Sequence, residues 1–136
     1  MTNKDQLNAL YKKYGLSQEH VFTNPSQGWS IITRAGIDTI QAKANIEINY
    51  DVISSDLSNI IIKANGKMDG NKIETFGEAS PKNTRNGYPV AIAEKRAMSR
   101  AVLKLSGFYA LGIMSEDESD DFKNFANQQR LNTGTL

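Results

Sequence analysis

Between Lys72 and Gly107 the chain passes from strand to helix. Lys72 to Gly77 reads as a strand returning antiparallel from the Asp69-Gly70 turn. From Pro89 to Ser106 apolar residues return every three to four positions, as on a helix. Proline suits the first turn of such a helix, and Gly107 suits its end. An 18-residue helix with an apolar face needs a layer to cover it, and the stretch before it supplies one. Ile46–Val52 alternates apolar and polar residues, Asn59–Gly66 forms a second strand, and Asp69-Gly70 marks a tight turn into the third. Ser54–Ser58 reads as the turn between the first two. The middle of the chain is therefore expected to be an antiparallel meander crossed by a long helix.

Flanking elements complete an α+β fold. Leu7, Leu10, Tyr11 and Tyr14 place a helix over about 3–14, stopped at Gly15. His20 to Gly28 reads as a loop, and Trp29–Ile32 as a short buried strand. Thr33 can cap a helix reaching about Lys43, with Ile37, Ile40 and Ala44 inward and Asn45 as its break. The acids Glu116–Asp121, followed by Phe122 and Phe125, predict a final short helix with carboxylates at its positive end. The expected architecture is one domain over 1–136. An N-terminal helix and loop (1–27) precede a core of three to four antiparallel strands on a long basic helix (28–107). An acidic C-terminal helix and tail (108–136) follow.

Composition narrows the function. The 136 residues contain no cysteine, which removes thiol nucleophiles, disulfide scaffolds and cysteine-ligated metals. The single histidine, His20, reads as a surface or capping residue. No phosphate-cradling glycine motif or nucleophile elbow occurs, and no cofactor or metal is expected. No apolar run approaches a membrane span, so a soluble cytoplasmic protein without membrane contact is expected. No catalytic residue is assigned; a metal-dependent nuclease would need a tighter carboxylate cluster than Asp69, Glu74, Glu78 and Glu94 offer.

Charge is concentrated. The net charge is +1, yet Pro81 to Lys104 carries Lys82, Arg85, Lys95, Arg96, Arg100 and Lys104 against one acid, Glu94. On a helical wheel Val90, Ala91, Ala97, Met98, Ala101, Val102 and Leu105 form a broad arc expected to face the sheet. Ala93, Arg96, Arg100 and Lys104 form another edge. Cations one turn apart repel, so this edge asks for a counter-charge. A nucleic-acid backbone is one source; surface ion pairs are another. In the preceding loop Lys82 and Arg85 add cations, and Tyr88 adds a ring on which a base can stack. The candidate nucleic-acid-binding set is Lys82, Arg85, Tyr88, Lys95, Arg96, Arg100 and Lys104. Glu94 falls within the apolar arc and is expected to be a buried, paired carboxylate. Ile92 and Leu103 make a second apolar strip, so the helix is either sandwiched or used in self-association.

One resemblance follows from these residues. Gly77-Glu78-Ala79, a polar loop, then Ala93-Glu94-Lys95-Arg96-Ala97-Met98-Ser99-Arg100-Ala101-Val102-Leu103-Lys104-Leu105-Ser106-Gly107-Phe108-Tyr109 resembles the signature of single-strand annealing recombinases. These are the phage proteins of the RecT, Erf and Red-beta kind and the related eukaryotic Rad-type annealing protein. Gly28-Trp29-Ser30 is similar to the entry into the first strand of that eukaryotic branch. The resemblance implies a non-enzymatic protein of DNA recombination, of phage or mobile-element origin, that binds single-stranded DNA and works as a homo-oligomeric ring or filament. It makes Lys82, Arg85, Arg96 and Arg100 candidate phosphate ligands. The helix at Thr33–Lys43 departs from the family's strand series, and the chain is shorter than most members. A protein-interaction module, such as a phage inhibitor or adaptor, is the alternative. It would use the Ile92/Leu103 strip and the acidic segment.

Overall fold

The structure is a computed structural model that describes residues 2–26, 28–56, 59–81 and 88–118. In chain order the elements are α1 (Asn3–Lys13), β1 (Val21–Thr23), β2 (Ser30–Ile32), α2 (Arg34–Ala44), β3 (Glu47–Ser55), β4 (Ile60–Met68), β5 (Asn71–Ala79), α3 (Pro89–Ser106) and β6 (Met114–Ser115). Short 3-10 turns occupy Gln18–His20, Tyr109–Leu111 and Glu116–Glu118. The fold is α+β, as expected. Its strands, however, form two three-stranded sheets, β3-β4-β5 and β1-β2-β6, not one. The short strand at Trp29–Ile32 belongs to the second of these.

The meander is antiparallel throughout and follows its local signals. Asp69 (φ 51°) and Gly70 (φ 82°) both adopt the left-handed conformation that a two-residue hairpin turn demands. β3 runs on to Ser55, past the turn expected from Ser54, because a bulge at Ile53 absorbs the break in alternation. On β4, Ile60, Ile62 and Ala64 are buried beneath α3, and the intervening Ile61, Lys63 and Asn65 are only partly covered.

Small residues set how closely α3 lies on the sheet. Ala93, Ala97 and Ala101 recur at every fourth position and are fully buried against Ala64, Ala79, Ile60 and Ile62. A β-carbon on Gly77 would stand 1.9 Å from the Ala93 carbonyl oxygen and 2.5 Å from the Ala97 nitrogen. Glycine is required there by contact with backbone. The Thr75 hydroxyl donates to the Ala97 carbonyl at 2.6 Å, which satisfies a buried polar group at the same contact. The sheet-facing line is thus Ala93–Ala97–Ala101. Val90 and Ala91, expected in it, are exposed.

The opposite side of α3 is also covered. Met98, Val102 and Leu103 join Tyr14, Ile32, Ile37, Ile40, Ile46, Phe108 and Ile113 in a second apolar cluster. α1 and α2 pack here, with Thr33 capping α2 through its hydroxyl and Asn45 (φ 53°) ending it. The helix is therefore sandwiched, and Leu103 belongs to this core. Gly36 also has a packing reason: an added β-carbon would lie 2.5 Å from Ile32 Cγ2 and 2.9 Å from the His20 carbonyl oxygen.

β1 lies where the sequence reads as loop, and β6 where no strand is expected. Each has two or three residues, too few for alternation to register. Their pairing with β2, antiparallel for β1 and parallel for β6, is decided by tertiary contact. The expected final helix at Phe122 and Phe125 lies outside the described residues.

Gly77→Ala is expected to destabilise the fold by about 3 kcal/mol in urea denaturation, because helix backbone must move. Gly66→Ala should cost far less, since its nearest neighbour is the end of the flexible Leu105 side chain at 3.1 Å.

Candidate nucleic-acid interface and the arginine clasp

The candidate residues separate into two groups once α3 is in place. Arg96 is 5% exposed. Its Nη1 donates to the Glu78 carbonyl oxygen at 2.8 Å and its Nε to the Asp117 carbonyl oxygen at 3.1 Å. Arg100 is held more completely. Its Nε and Nη2 donate to the two carboxylate oxygens of Glu118 at 2.6 and 2.9 Å. Its Nη1 and Nη2 donate to the two oxygens of Glu78 at 3.0 Å each, and Nη1 also reaches the Phe76 carbonyl at 2.5 Å. A guanidinium has five N–H donors, and here each has an acceptor. The counter-charge that the basic edge asks for is internal, from Glu78 on β5 and Glu118 after β6. Arg96 and Arg100 thus form a clasp within the fold and do not stand open on the helix edge.

The clasp closes around one edge of the sheet. Side chains of β5 alternate, so Thr75, Gly77 and Ala79 face α3 while Phe76 and Glu78 face away. To reach the Glu78 carboxylate from α3, Arg100 passes the outer edge of β5. The carbonyls of Phe76 and Glu78, two residues apart and so on the same side of the strand, are taken on the way.

The segment after β6 completes the arrangement. Glu116 accepts from the Arg34 backbone N–H at the start of α2. The Asp117 carboxylate accepts from the Ser99 hydroxyl and lies 3.4 Å from Arg34 Nη1. The acids Glu116–Glu118, in a 3-10 turn, thus bind α2 and α3 together. Their electrostatics differ. The Arg100 side chain holds the Glu78 carboxyl below its ordinary value. Burial pushes Asp117 up, against the lowering pull of Ser99 and Arg34. The two carboxylates raise the affinity of Arg100 for its proton.

The remaining candidates are open to solvent but do not form one surface. Tyr88 is 75% exposed at the start of α3, and Lys95 is exposed. Tyr88 precedes the first turn, and Lys95 lies about two turns into the helix. Lys104 is exposed at the far end, with its ammonium 5.0 Å from the centre of the Tyr109 ring. It lies half a turn around the helix from Lys95. Lys82 and Arg85 lie outside the described residues. Glu94, expected buried, is exposed. The true centre of the sheet-facing arc is Ala97, which rotates Glu94 outward; burial pushes the Tyr50 phenol up, and the Glu94 charge adds to it. His20 has a capping role, its Nδ1 accepting from the Ser17 backbone N–H at 3.0 Å.

Among the described residues no three potential metal ligands converge, and no helix is long and apolar enough to cross a membrane. Comparison of the chain with protein-family models, curated proteins and solved structures gives no match.

Arg96→Met and Arg100→Met are each expected to cost about 2 kcal/mol in urea denaturation, since charged hydrogen bonds are lost and their acceptors stranded. Lys95→Met should stay within about 0.5 kcal/mol. Equal, negligible effects at all three positions would show a merely solvated basic edge.

The two perturbed carboxylates act with opposite sign on acidification. A lowered folded-state value means that the Glu78 contribution is present above the ordinary carboxylate value and lost as pH falls through the folded one. A raised value means that Asp117 takes up its proton sooner when folded, which favours folding as pH falls toward its ordinary value. Asp117→Asn should therefore be at least as stable as the parent near neutral pH and lose that advantage by about pH 4. Chemical denaturation at the two pH values measures it.

Proposed function

We propose that this chain is a non-enzymatic single-stranded DNA-binding protein that promotes strand annealing, and that it contacts DNA at the loop end of α3. The observation that carries the reading is the exposure of Tyr88, 75% open at the helix start, with the exposed Lys95 about two turns further along the same helix. A stacking ring followed by a cation can serve a single strand, base on ring and phosphate on ammonium. Lys82 and Arg85, a few residues before Tyr88 in the sequence, extend its charge. Arg96 and Arg100 serve this site indirectly, by fixing α3 and the end of β5 between which the basic loop is strung.

The order of elements supports the same reading. A three-stranded antiparallel meander crossed by a long helix is what the resemblance to annealing recombinases implies. The Gly77–Ala93 contact gives the glycine of that signature a physical role. The protein-interaction alternative loses support at its apolar strip, since Leu103 is buried and Ile92 packs against the sheet cluster.

Fluorescence anisotropy with a labelled single-stranded oligonucleotide across a salt series tests the proposal. Binding should weaken steadily with salt, as counterion release requires. Tyr88→Ala should reduce affinity by roughly 5- to 150-fold, the range for loss of one stacked base. Lys82→Ala with Arg85→Ala should flatten the salt slope. Absence of binding at low salt would overturn the reading, and unchanged affinity in Tyr88→Ala would move the site elsewhere.

A further inference from the structure

The two edges of the β3-β4-β5 sheet are unlike. On β5 the outward carbonyls of Phe76 and Glu78 are occupied by Arg100 and Arg96. On β3, among the described residues, no strand pairs with the outer side. β3 is nine residues long and carries Tyr50, Val52 and Ile53, which are 38%, 63% and 53% exposed. An open edge strand with apolar side chains invites another strand. A strand added along β5 would have to displace those arginine bonds at Phe76 and Glu78, whereas pairing of β3 with a second β3 displaces none, and such pairing is two-fold and closed.

The sequence of β3 selects one register for it. Antiparallel strands related by a two-fold axis at Tyr50 place Ile48 opposite the partner's Val52, Tyr50 opposite the partner's Tyr50, and Asn49 opposite the partner's Asp51. Apolar residues meet on one face, and an amide meets a carboxylate on the other. Moving the axis to Asp51 sets that carboxylate against its own copy. Moving it to Asn49 sets Glu47 against the partner's Asp51. Moving it to Val52 brings the Ile53 bulge beside the axis, where the ladder is broken. With the axis at Tyr50, the pairing from Ile48 to Val52 ends before the bulge.

We propose that the chain forms a two-fold dimer through β3, with its axis at Tyr50, joining two three-stranded sheets into one of six strands. The proposal stands apart from DNA binding, since it uses neither Tyr88 nor Lys95. The chain has no native cysteine, so single cysteines report the contact directly. Paired residues at such an axis have α-carbons about 4.5–5.5 Å apart, within disulfide reach. In a cysteine scan over 49–53 of the full chain, Tyr50→Cys should give a disulfide dimer under mild oxidation, while Asn49→Cys and Asp51→Cys should each give none alone. Mixing those last two variants should crosslink them to each other. Sedimentation equilibrium of the cysteine-free chain should give twice the chain mass, and Val52→Lys should weaken the dimer at least tenfold with unchanged circular dichroism. A monomer at about 100 µM, well above the micromolar range of weak specific association, would overturn the proposal. A crosslink at a different position with none at 50 would overturn it too.

Discussion

The fold depends on two guanidinium groups at the edge of β5. Arg96 and Arg100 reach from α3 past that edge to the carbonyls of Phe76 and Glu78, the Glu78 carboxylate, and the segment Asp117–Glu118. This contact adds the segment after β6 to the packing of α3 on β5. It fixes the rotation of α3 on the meander, so that the Ala93–Ala97–Ala101 line lies over Gly77. It ties the chain after β6 to the helix, and through β6 to the second sheet. It also covers the Phe76–Glu78 end of the β5 edge, while among the described residues the β3 edge carries no such cover. Removing one arginine would leave carboxylates and carbonyls facing each other in a partly buried place, a loss several times that of a solvent-exposed pair.

The clasp also changes how the basic helix is understood. Six cations between Pro81 and Lys104 suggest a single electropositive surface. Arg100 is paired with Glu78 and Glu118, Arg96 is buried on two backbone carbonyls, and Lys104 lies on another side with Tyr109. What remains for a ligand is local, at the entrance of α3, which agrees with a net charge of only +1. A narrow site of stacking and a few phosphates fits the proposed single-stranded DNA contact better than a long basic groove would.

Much of this was legible in the sequence. The span of α3, the caps of α2 at Thr33 and Asn45, and the Asp69-Gly70 hairpin are all set by local backbone rules, and local rules can be read from neighbours in the chain. The rotation of α3 was harder. A wheel weights Val90 and Leu105 above alanine, whereas close packing on Gly77 admits only small residues, so the true contact line ran through Ala93 and turned Glu94 outward. The partners of Arg96 and Arg100 were out of reach for a different reason. Glu78 and Glu118 are 18 or more residues away from them, and nothing in their spacing pairs them. The acidic run Glu116–Glu118 was the available clue, since an isolated basic edge and an isolated acidic turn in a near-neutral chain can satisfy each other. β1 and β6 owe their existence to β2 and carry no local signal.

The central claim is that Arg96 and Arg100 are internal structural groups and not the DNA-contacting surface. Exchange of the arginine Nε protons, followed by nuclear magnetic resonance with and without a single-stranded oligonucleotide, tests it most directly. Two arginine Nε–H signals, assigned by substitution to Arg96 and Arg100, should exchange slowly with water and keep their positions when the oligonucleotide is added. Rapid exchange at these two groups in the free protein, or large shifts on adding DNA, would contradict the account.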